Sequence, residues 1–175
     1  MTATDLEASI TAHVDPDTYK AVLARHAAGV VIVTAAPAGG PAGITATSFT
    51  SVSLRPPLVS FYVARTSTTW PSLRTAPGFA VNILTEGQSD LADRFARPSP
   101  DRFAPPTRWR TGPYGAPLLD DAAGHLHCHW HTVTPVGDHW LVVGHVTDAV
   151  AGGPPTAPLL YHRGKFGAFH PIDRQ

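Results

Sequence analysis

The sequence is poor in cysteine and in charge. Its single cysteine, Cys128, excludes an internal disulfide. Charged residues make up only 15% of the chain, against roughly 25% in typical soluble domains, so much of the surface is expected to be small, neutral or buried against a partner subunit. Lys plus Arg and Asp plus Glu number 13 each, and without an excess of either sign we expect neither nucleic acid nor an anionic membrane as a partner.

Long apolar segments are lacking as well. No apolar run approaches the roughly 18 residues of a membrane span, and no charged start is followed by an apolar core and a cleavage site. These features predict a soluble, cytoplasmic protein. The 175 residues suit one domain with one core, and we expect residues 1–14 to be a flexible N-terminal tail and residues 15–175 to form the domain.

Glycine and proline, in contrast, are abundant. The 15 glycines and 18 prolines often bound short β-rich runs, which is typical of a β protein with many loops. Seven or so strands joined mostly by short turns predict a mainly β, antiparallel barrel with a few peripheral helices. Strands are expected at residues 30–36, 43–47, 58–64, 79–84, 125–133, 139–150 and around 159–166. Helices are expected from Asp15 to Gly29, from Trp70 and over residues 89–96, and a long loop over residues 97–117 should border the site or an interface.

The stretch from residue 43 to residue 70 is dense in Ser and Thr hydroxyl groups. The stretch is predicted to contain a strand, a hydroxyl-rich crossing over residues 48–53, a break at Pro56-Pro57 and a second strand. Each strand is followed by a polar loop, so the stretch contains two such loops. The hydroxyls of the first loop are more numerous than turn chemistry requires. Such a pair of loops suits a nucleotide-like ligand, with a polar ring edge at the first loop and a phosphate at the second.

The second loop is the candidate phosphate cradle. It runs into Trp70-Pro71, where a proline in the first turn predicts a helix whose unpaired amides attract anions. The cradle would consist of Arg65, Ser67, Thr68 and Thr69. Capping of the helix by Thr68 or Thr69 alone accounts for the same residues and is the simpler interpretation of this loop taken by itself.

Several motifs, in this order, resemble the flavin reductase family with the FMN-binding split-barrel fold. They are AAGVVIVTA at 27–35, GITATSFTSVSLRPPLVSF at 43–61, GFAVNIL at 78–84, the helix at 91–96, Gly137-Asp138-His139, and PLLYHRGKF at 158–166. The resemblance implies an antiparallel split β-barrel with Greek-key connections, FMN or FAD as cofactor, and NADH or NADPH as electron donor. It also implies a homodimer that supplies reduced flavin to a separate monooxygenase component.

The same resemblance implies the site residues. The flavin would be bound by Thr45, Ala46, Thr47, Ser48, Tyr62, Val63, Ala64, Arg65, Ser67, Thr68, Thr69, Phe95, Ala96 and Arg102. The nicotinamide would be bound by His139, Arg163, Gly164, Lys165 and Phe166. His139 would position the nicotinamide or its phosphates, or assist a proton at the flavin, and a turn histidine bonded to Asp138 is the alternative. The chain departs from the family at Arg55, where many members have Asp, at His26, where an aromatic is common, and at Tyr62, where a small residue or cysteine is frequent.

Hydride transfer between stacked cofactor rings needs no protein nucleophile or strong base. The sequence accordingly has no nucleophile-elbow, Walker or Rossmann glycine pattern, and Cys128 is expected to be a small buried hydrophobe. One alternative is a flavoprotein of the same fold that acts on another organic substrate or carries electrons. A second is a metal-binding module built on a histidine ladder, His125, His127, His129 and His131. Because imidazoles in a row rarely close a tetrahedral site, we expect no metal and interpret the ladder as a solvated or interface-lining face.

Overall fold

The computed structural model of the chain describes residues 14–99, 101–154 and 156–172. The predicted tail over residues 1–14 lies outside these residues except for Val14, so the division into tail and domain stays a prediction. Within the described ranges, no helix is both long enough and apolar enough to cross a membrane.

The described residues form three α-helices and twelve β-strands. The helices are α1 (Pro16–Leu23), α2 (Trp70–Leu73) and α3 (Ser89–Ala96), with 3₁₀ turns at Glu86–Gln88 and Pro113–Gly115. The strands are β1 (Ala28–Gly29), β2 (Val31–Ala35), β3 (Ala42–Ala46), β4 (Thr50–Leu54), β5 (Pro57–Ala64), β6 (Phe79–Ile83), β7 (Trp109–Thr111), β8 (Pro117–Leu119), β9 (Gly124–Val136), β10 (His139–Ala151), β11 (Leu159–His162) and β12 (Lys165–Ala168).

Seven strands form one antiparallel sheet in the order β3-β2-β6-β9-β10-β5-β4. Strands distant in the sequence are neighbours in it, as the predicted Greek-key connections require. Its first strand, β3, also contacts β5 near the other edge, but no ladder of hydrogen bonds joins the two within the described chain. The sheet is therefore a barrel that stays open along the β3–β5 seam, and the predicted mainly β, antiparallel split-barrel fold is confirmed.

Two apolar clusters fill and flank this barrel. The first contains inward side chains of the main sheet, among them Phe61, Phe79 and Cys128. Burial raises the pKa of the Cys128 thiol to about 12, so this cysteine stays protonated and unreactive, as expected for a small buried hydrophobe. The second cluster lies under α3 and includes Phe95 and Leu159, which places α3 against the outside of the barrel.

Three sequence-based assignments need correction. The crossing predicted over residues 48–53 contains β4, which pairs with β5 but exposes most of its side chains, so it lacks the alternation that marks a half-buried strand. The last strand is a hairpin of β11 and β12, whose turn residues Arg163 and Gly164 both have positive φ. The long loop over residues 97–117 contains β7, which pairs with β8 in a separate ribbon.

Helix α1 begins as predicted but does not pack into the core. The Asp15 carboxylate accepts a hydrogen bond of 2.8 Å from the Thr18 N–H, which confirms Asp15 as the N-cap. The helix ends at Leu23, earlier than the expected stop at Gly29. Its apolar residues Tyr19, Val22 and Leu23 are 57%, 61% and 50% exposed, so this face is not buried against the barrel.

Candidate active site

An open cleft of about 470 Å³ lies at the split of the barrel, where β3 and β5 end. It is lined by Ile44, Thr45, Ala46, Thr47, Ser48, Tyr62, Val63, Ala64, Thr66, Ser67, Thr68, Thr69, Phe95, Ala96, Pro98, Arg102 and His139. The fold thus brings together every residue assigned to the flavin by resemblance except Arg65. Three lining residues were missed, Ile44, Thr66 and Pro98. Pro98 and Arg102 belong to the long loop, which borders the cleft as predicted.

The Ser48 hydroxyl holds β5, one wall of the cleft, by a hydrogen bond to its backbone. The Ser48 hydroxyl accepts a 2.9 Å hydrogen bond from the Tyr62 N–H, on the edge of β5 that β4 leaves unpaired. A weaker contact of 3.4 Å joins the same hydroxyl to the Tyr62 carbonyl. Ser48 therefore ties the end of β3 to β5 across the split and holds the two walls of the cleft at a fixed separation.

Thr45 ties the same strand end to α3. Its hydroxyl donates a 2.6 Å hydrogen bond to the carbonyl oxygen of Ala92. A hydroxyl has one proton and two acceptor lone pairs. Since the proton of Thr45 is already used, this side chain can only accept a hydrogen bond from a ligand in the cleft.

The hydroxyls of the second loop, unlike that of Thr45, accept hydrogen bonds within the protein and keep their own protons. Ser67 Oγ accepts the Trp70 N–H at 3.2 Å, and Thr69 Oγ1 accepts an N–H of Arg102 at 2.8 Å. Neither hydroxyl proton is donated to another described residue, so both are available to an anion. Thr69 occupies the N-cap position of the single-turn helix α2, as the simpler interpretation allows, but its side chain makes no capping hydrogen bond; the hydroxyl that accepts the Trp70 N–H is that of Ser67.

Arg102 supplies the positive charge of the cleft. It is only 8% exposed, and its guanidinium donates to the carbonyls of Gly43 and Arg97 and to the Thr69 hydroxyl at 2.7–3.1 Å. Burial lowers the pKa of Arg102 from its ordinary value, yet an arginine stays cationic at neutral pH. No Asp or Glu of the described chain forms an ion pair with Arg102. A buried charge without a counter-ion at a cleft wall is suited to an anionic ligand.

Arg65, the cation expected in the cradle, is directed elsewhere. Its guanidinium carbon lies 5.7 Å from the ring centroid of Trp140, a cation–π arrangement. Its backbone N–H donates 2.9 Å to the carbonyl of Asp138, which joins the cradle loop to the β9–β10 turn. Arg65 therefore contributes to the position of the cradle loop rather than to the lining of the cleft.

His139 begins β10 and lines the cleft. Its Nδ1 lies 2.6 Å from a carboxylate oxygen of Asp138, so the contact with Asp138 anticipated as the alternative is present. The bonded imidazole lowers the pKa of the Asp138 carboxyl, which therefore stays ionised. With Nδ1 directed to Asp138, Nε2 is the ring nitrogen left for a ligand.

The other residues assigned to the nicotinamide lie apart from His139. Arg163, Lys165 and Phe166 line a separate open groove of about 670 Å³ at the β11–β12 hairpin. Gly164 is in the turn of that hairpin, with φ 76°. Within the described chain, the residues assigned to the nicotinamide therefore lie in two places. His139 is in the cleft, and the other four residues are at the hairpin outside it.

The histidine ladder is divided between the interior and the surface. His125 and His127 are 4% and 2% exposed, whereas His129 and His131 are exposed, so the expected solvated face is half buried. His125 Nδ1 is 3.0 Å from Asn82 Oδ1, in a buried network that reaches Thr34. Among the described residues, no three His, Cys, Asp or Glu side chains are placed to hold a metal ion.

Both buried histidines make the fold sensitive to acid. Burial lowers the pKa of His125 and His127, and the Arg110 cation lowers both further, while Asp120 and Asp148 act in the opposite direction. The folded protein therefore binds fewer protons than the unfolded chain, and stability is lost as the pH falls below the unfolded value of about 6.5.

When the pH is lowered from about 7.5 to about 5, we expect the free energy of unfolding to fall less in His127→Leu than in wild type. His127 Nδ1 has no hydrogen-bond partner within the described residues, so the substitution removes a titrating group without breaking a bond. Urea unfolding at both pH values measures this. His131→Gln, at an exposed position, should behave as wild type, and an unchanged loss in His127→Leu would contradict the assignment.

The open barrel and the cleft at its seam define a split-barrel protein with a ligand-sized cleft between two strand ends. The family model described as flavin reductase like domain matches residues 23–170, so the chain belongs to the flavin reductase family.

Similar proteins include an NADH:FMN oxidoreductase of Rhodococcus erythropolis, 45% identical over 85% of this chain and 79% of that protein. The reductase subunit HsaB of a flavin-dependent monooxygenase from Rhodococcus jostii (strain RHA1) is 35% identical over 90% of this chain and 80% of the subunit. Among solved structures, the NADH:FAD oxidoreductase SgcE6 of Streptomyces globisporus C-1027, in complex with NAD and FAD fragments, aligns with a TM-score of 0.83 and 37% identity. That alignment covers 92% of this chain and 98% of the other.

Proposed function

We propose that the protein is an NAD(P)H-dependent flavin reductase whose flavin site is the cleft at the split. The observation that carries the proposal is Arg102, a buried cation without a counter-ion, set beside hydroxyls whose protons are free. The reaction consumes NAD(P)H, a proton and oxidised flavin, and yields NAD(P)⁺ and reduced flavin.

The polarity of the cleft fits a flavin nucleotide. Donors are concentrated at Ser67, Thr69 and Arg102, which suits the ribityl phosphate. Thr45 accepts only, which suits an N–H on the polar edge of the ring system. Phe95 and Ala96 add an apolar wall against the flat ring. FMN and FAD both carry the phosphate, so the cleft is assigned to either.

The bound flavin would supply the redox chemistry by accepting a hydride from the nicotinamide. The protein groups then have to bind, orient and exclude water. His139 stands at the cleft with Nε2 available, in a position to donate to or accept from the nicotinamide or its phosphates. The hairpin residues Arg163, Gly164, Lys165 and Phe166 remain proposed nicotinamide contacts.

The names of the relatives support the wider role. One is an NADH:FMN oxidoreductase and another a reductase subunit of a flavin-dependent monooxygenase, so we assign this chain to supplying reduced flavin to a separate oxygenase. A homodimer with the two clefts near the subunit interface and a cytoplasmic location remain part of the proposal. The low charge content of 15% and exposed apolar residues such as Leu54, 82% exposed in edge strand β4, support self-association.

A steady-state assay tests the function. Oxidation of NADH or NADPH that depends strictly on added free FMN or FAD is the expected result. Tightly held flavin that does not exchange, without such turnover, would replace the proposal by the alternative of a flavoprotein that acts on another substrate or carries electrons.

His139→Ala is expected to raise the Michaelis constant for the nicotinamide by about three- to tenfold, the worth of one ordinary hydrogen bond. The dissociation constant for flavin should change less, because the flavin contacts lie on the other residues of the cleft. Steady-state kinetics and flavin titration measure the two effects. His145→Ala, a β10 histidine outside the cleft lining, is the matched control, and equal effects on both ligands would argue against this role.

A further inference from the structure

Tyr62 places an exposed aromatic ring on a hydrogen-bonded piece of backbone at the cleft. Its neighbours Phe61 and Val63 are 0% and 4% exposed in the core, so the Tyr62 side chain, 44% exposed, emerges on the outer face of β5. The backbone at this position is held by Ser48 on one edge and by β10 on the other. Its hydrogen bonds within the described chain involve the backbone alone, so the phenol is uncommitted.

The register of β5 and β10 places this ring beside His139. Ala64 pairs directly with His139, and Tyr62 pairs with Leu141, so all four side chains stand on one face of the ladder. Tyr62 and His139 are diagonal neighbours there, at a separation of about 7–8 Å for such positions. Both residues also line the cleft.

We propose that the Tyr62 ring stacks on the isoalloxazine ring of bound flavin, gives way when the nicotinamide stacks on that side at His139, and controls how long the flavin stays in the cleft. This inference rests on the proposed function. Aromatic rings stack on planar heterocycles with a substantial gain, and an exposed ring whose hydroxyl is uncommitted can cover its ligand without closing the cleft. Tyr62 thereby determines whether the flavin is retained or exchanged.

Stacking makes two variants of Tyr62 behave differently. Tyr62→Ala should raise the dissociation constants of FMN and riboflavin alike by about tenfold, since the ring contributes to neither the phosphate nor its anchor. The change should appear mainly as faster dissociation in stopped-flow displacement. Tyr62→Phe keeps the ring and should keep the affinity. It should also raise the fluorescence of the bound flavin, because a phenol in contact quenches flavin emission by electron transfer and a phenyl ring is a poor electron donor.

The controls separate this inference from the proposed function. Tyr19→Ala removes an exposed tyrosine of α1 outside the cleft and should bind both flavins as wild type does. If wild type binds neither FMN nor riboflavin, the proposed function fails and Tyr62 with it. If wild type binds both and Tyr62→Ala binds them equally well, only the role of Tyr62 is overturned. If Tyr62→Ala and Tyr62→Phe lost flavin affinity equally, the effect would belong to the hydroxyl. That result would also overturn stacking.

Discussion

Arg102→Met is expected to weaken FMN binding by about 10- to 100-fold while leaving riboflavin binding almost unchanged. A hydrogen bond to a charged group is worth about 1.5–3 kcal/mol, and riboflavin has no phosphate with which to form it. The effect should be large because the charge is buried, 8% exposed, and has no carboxylate partner in the described chain. Fluorescence titration with the two flavins measures the difference.

The matched variants separate binding from folding. Arg102→Met also leaves the carbonyls of Gly43 and Arg97 without their donor, so its melting temperature should fall as well. Arg102→Lys keeps the charge but loses the planar fork, and should bind FMN with intermediate affinity. Arg97→Met removes an exposed cation of the same loop and should bind FMN normally. If Arg102→Met weakened both flavins equally, the guanidinium would be holding the loop rather than a phosphate.

The sequence is most informative where a residue acts through its own neighbours in the chain. The N-cap at Asp15 and the helix over residues 89–96 follow from local patterns, and the structure has both. The hairpin of β2 and β3 follows from β-rich runs around a glycine-rich turn. The hydroxyls at the ends of β3 and β5 line one cleft, as the two-loop interpretation expects, but of the predicted crossing over residues 48–53 only Ser48 does so.

Sequence reasoning failed where the outcome depends on contacts between distant segments. Arg65 is adjacent to the cradle loop in the chain, but stacking on Trp140 takes its side chain out of the cleft. Arg102 was assigned to the flavin by resemblance and does line the cleft, but it lies 33 residues beyond Thr69, and no local pattern reveals that its guanidinium returns to this hydroxyl. Strand β4 escaped detection because its exposed side chains leave no apolar alternation, and its pairing with β5 is decided by the fold.

The histidine ladder shows the same limit in the core. Alternation in the sequence predicts four histidines on one face, but it reveals neither which part of that face is covered nor the irregularity by which the β9–β10 register skips His131. At His125 a residue of β8 joins the contact, because the Leu119 N–H donates to the same Asn82 oxygen that His125 contacts. A pattern that suggested metal ligands is therefore, at His125, part of a buried network that joins three strands to β8.

Gly43→Ala is expected to destabilise the protein by about 1–3 kcal/mol, the usual cost of overpacking, and to weaken FMN and riboflavin binding together. A Cβ at this position would lie 2.8 Å and 2.9 Å from two carbons of the Phe95 ring and 3.2 Å from the Phe103 ring. Phe95 is 1% exposed and packs edge-on against Phe103 at 5.0 Å, so its ring has little room to retreat. Because Phe95 is a wall of the cleft, its displacement changes the space for the flavin ring. Urea unfolding and flavin titration measure the two effects.

The position of the added methyl group, rather than the loss of a glycine, should cause this effect. Gly29→Ala adds the same group in β1 where no atom lies within 4 Å, and it should leave stability and flavin binding close to wild type. Combining Gly43→Ala with Phe95→Leu, which shortens the opposing side chain, should recover part of the lost stability. Since Gly43 acts on the ring wall and Arg102 on the phosphate, Gly43→Ala should not discriminate FMN from riboflavin. A variant that lost FMN alone would show that the methyl group acts through the Gly43 carbonyl and its bond to Arg102 instead of through Phe95.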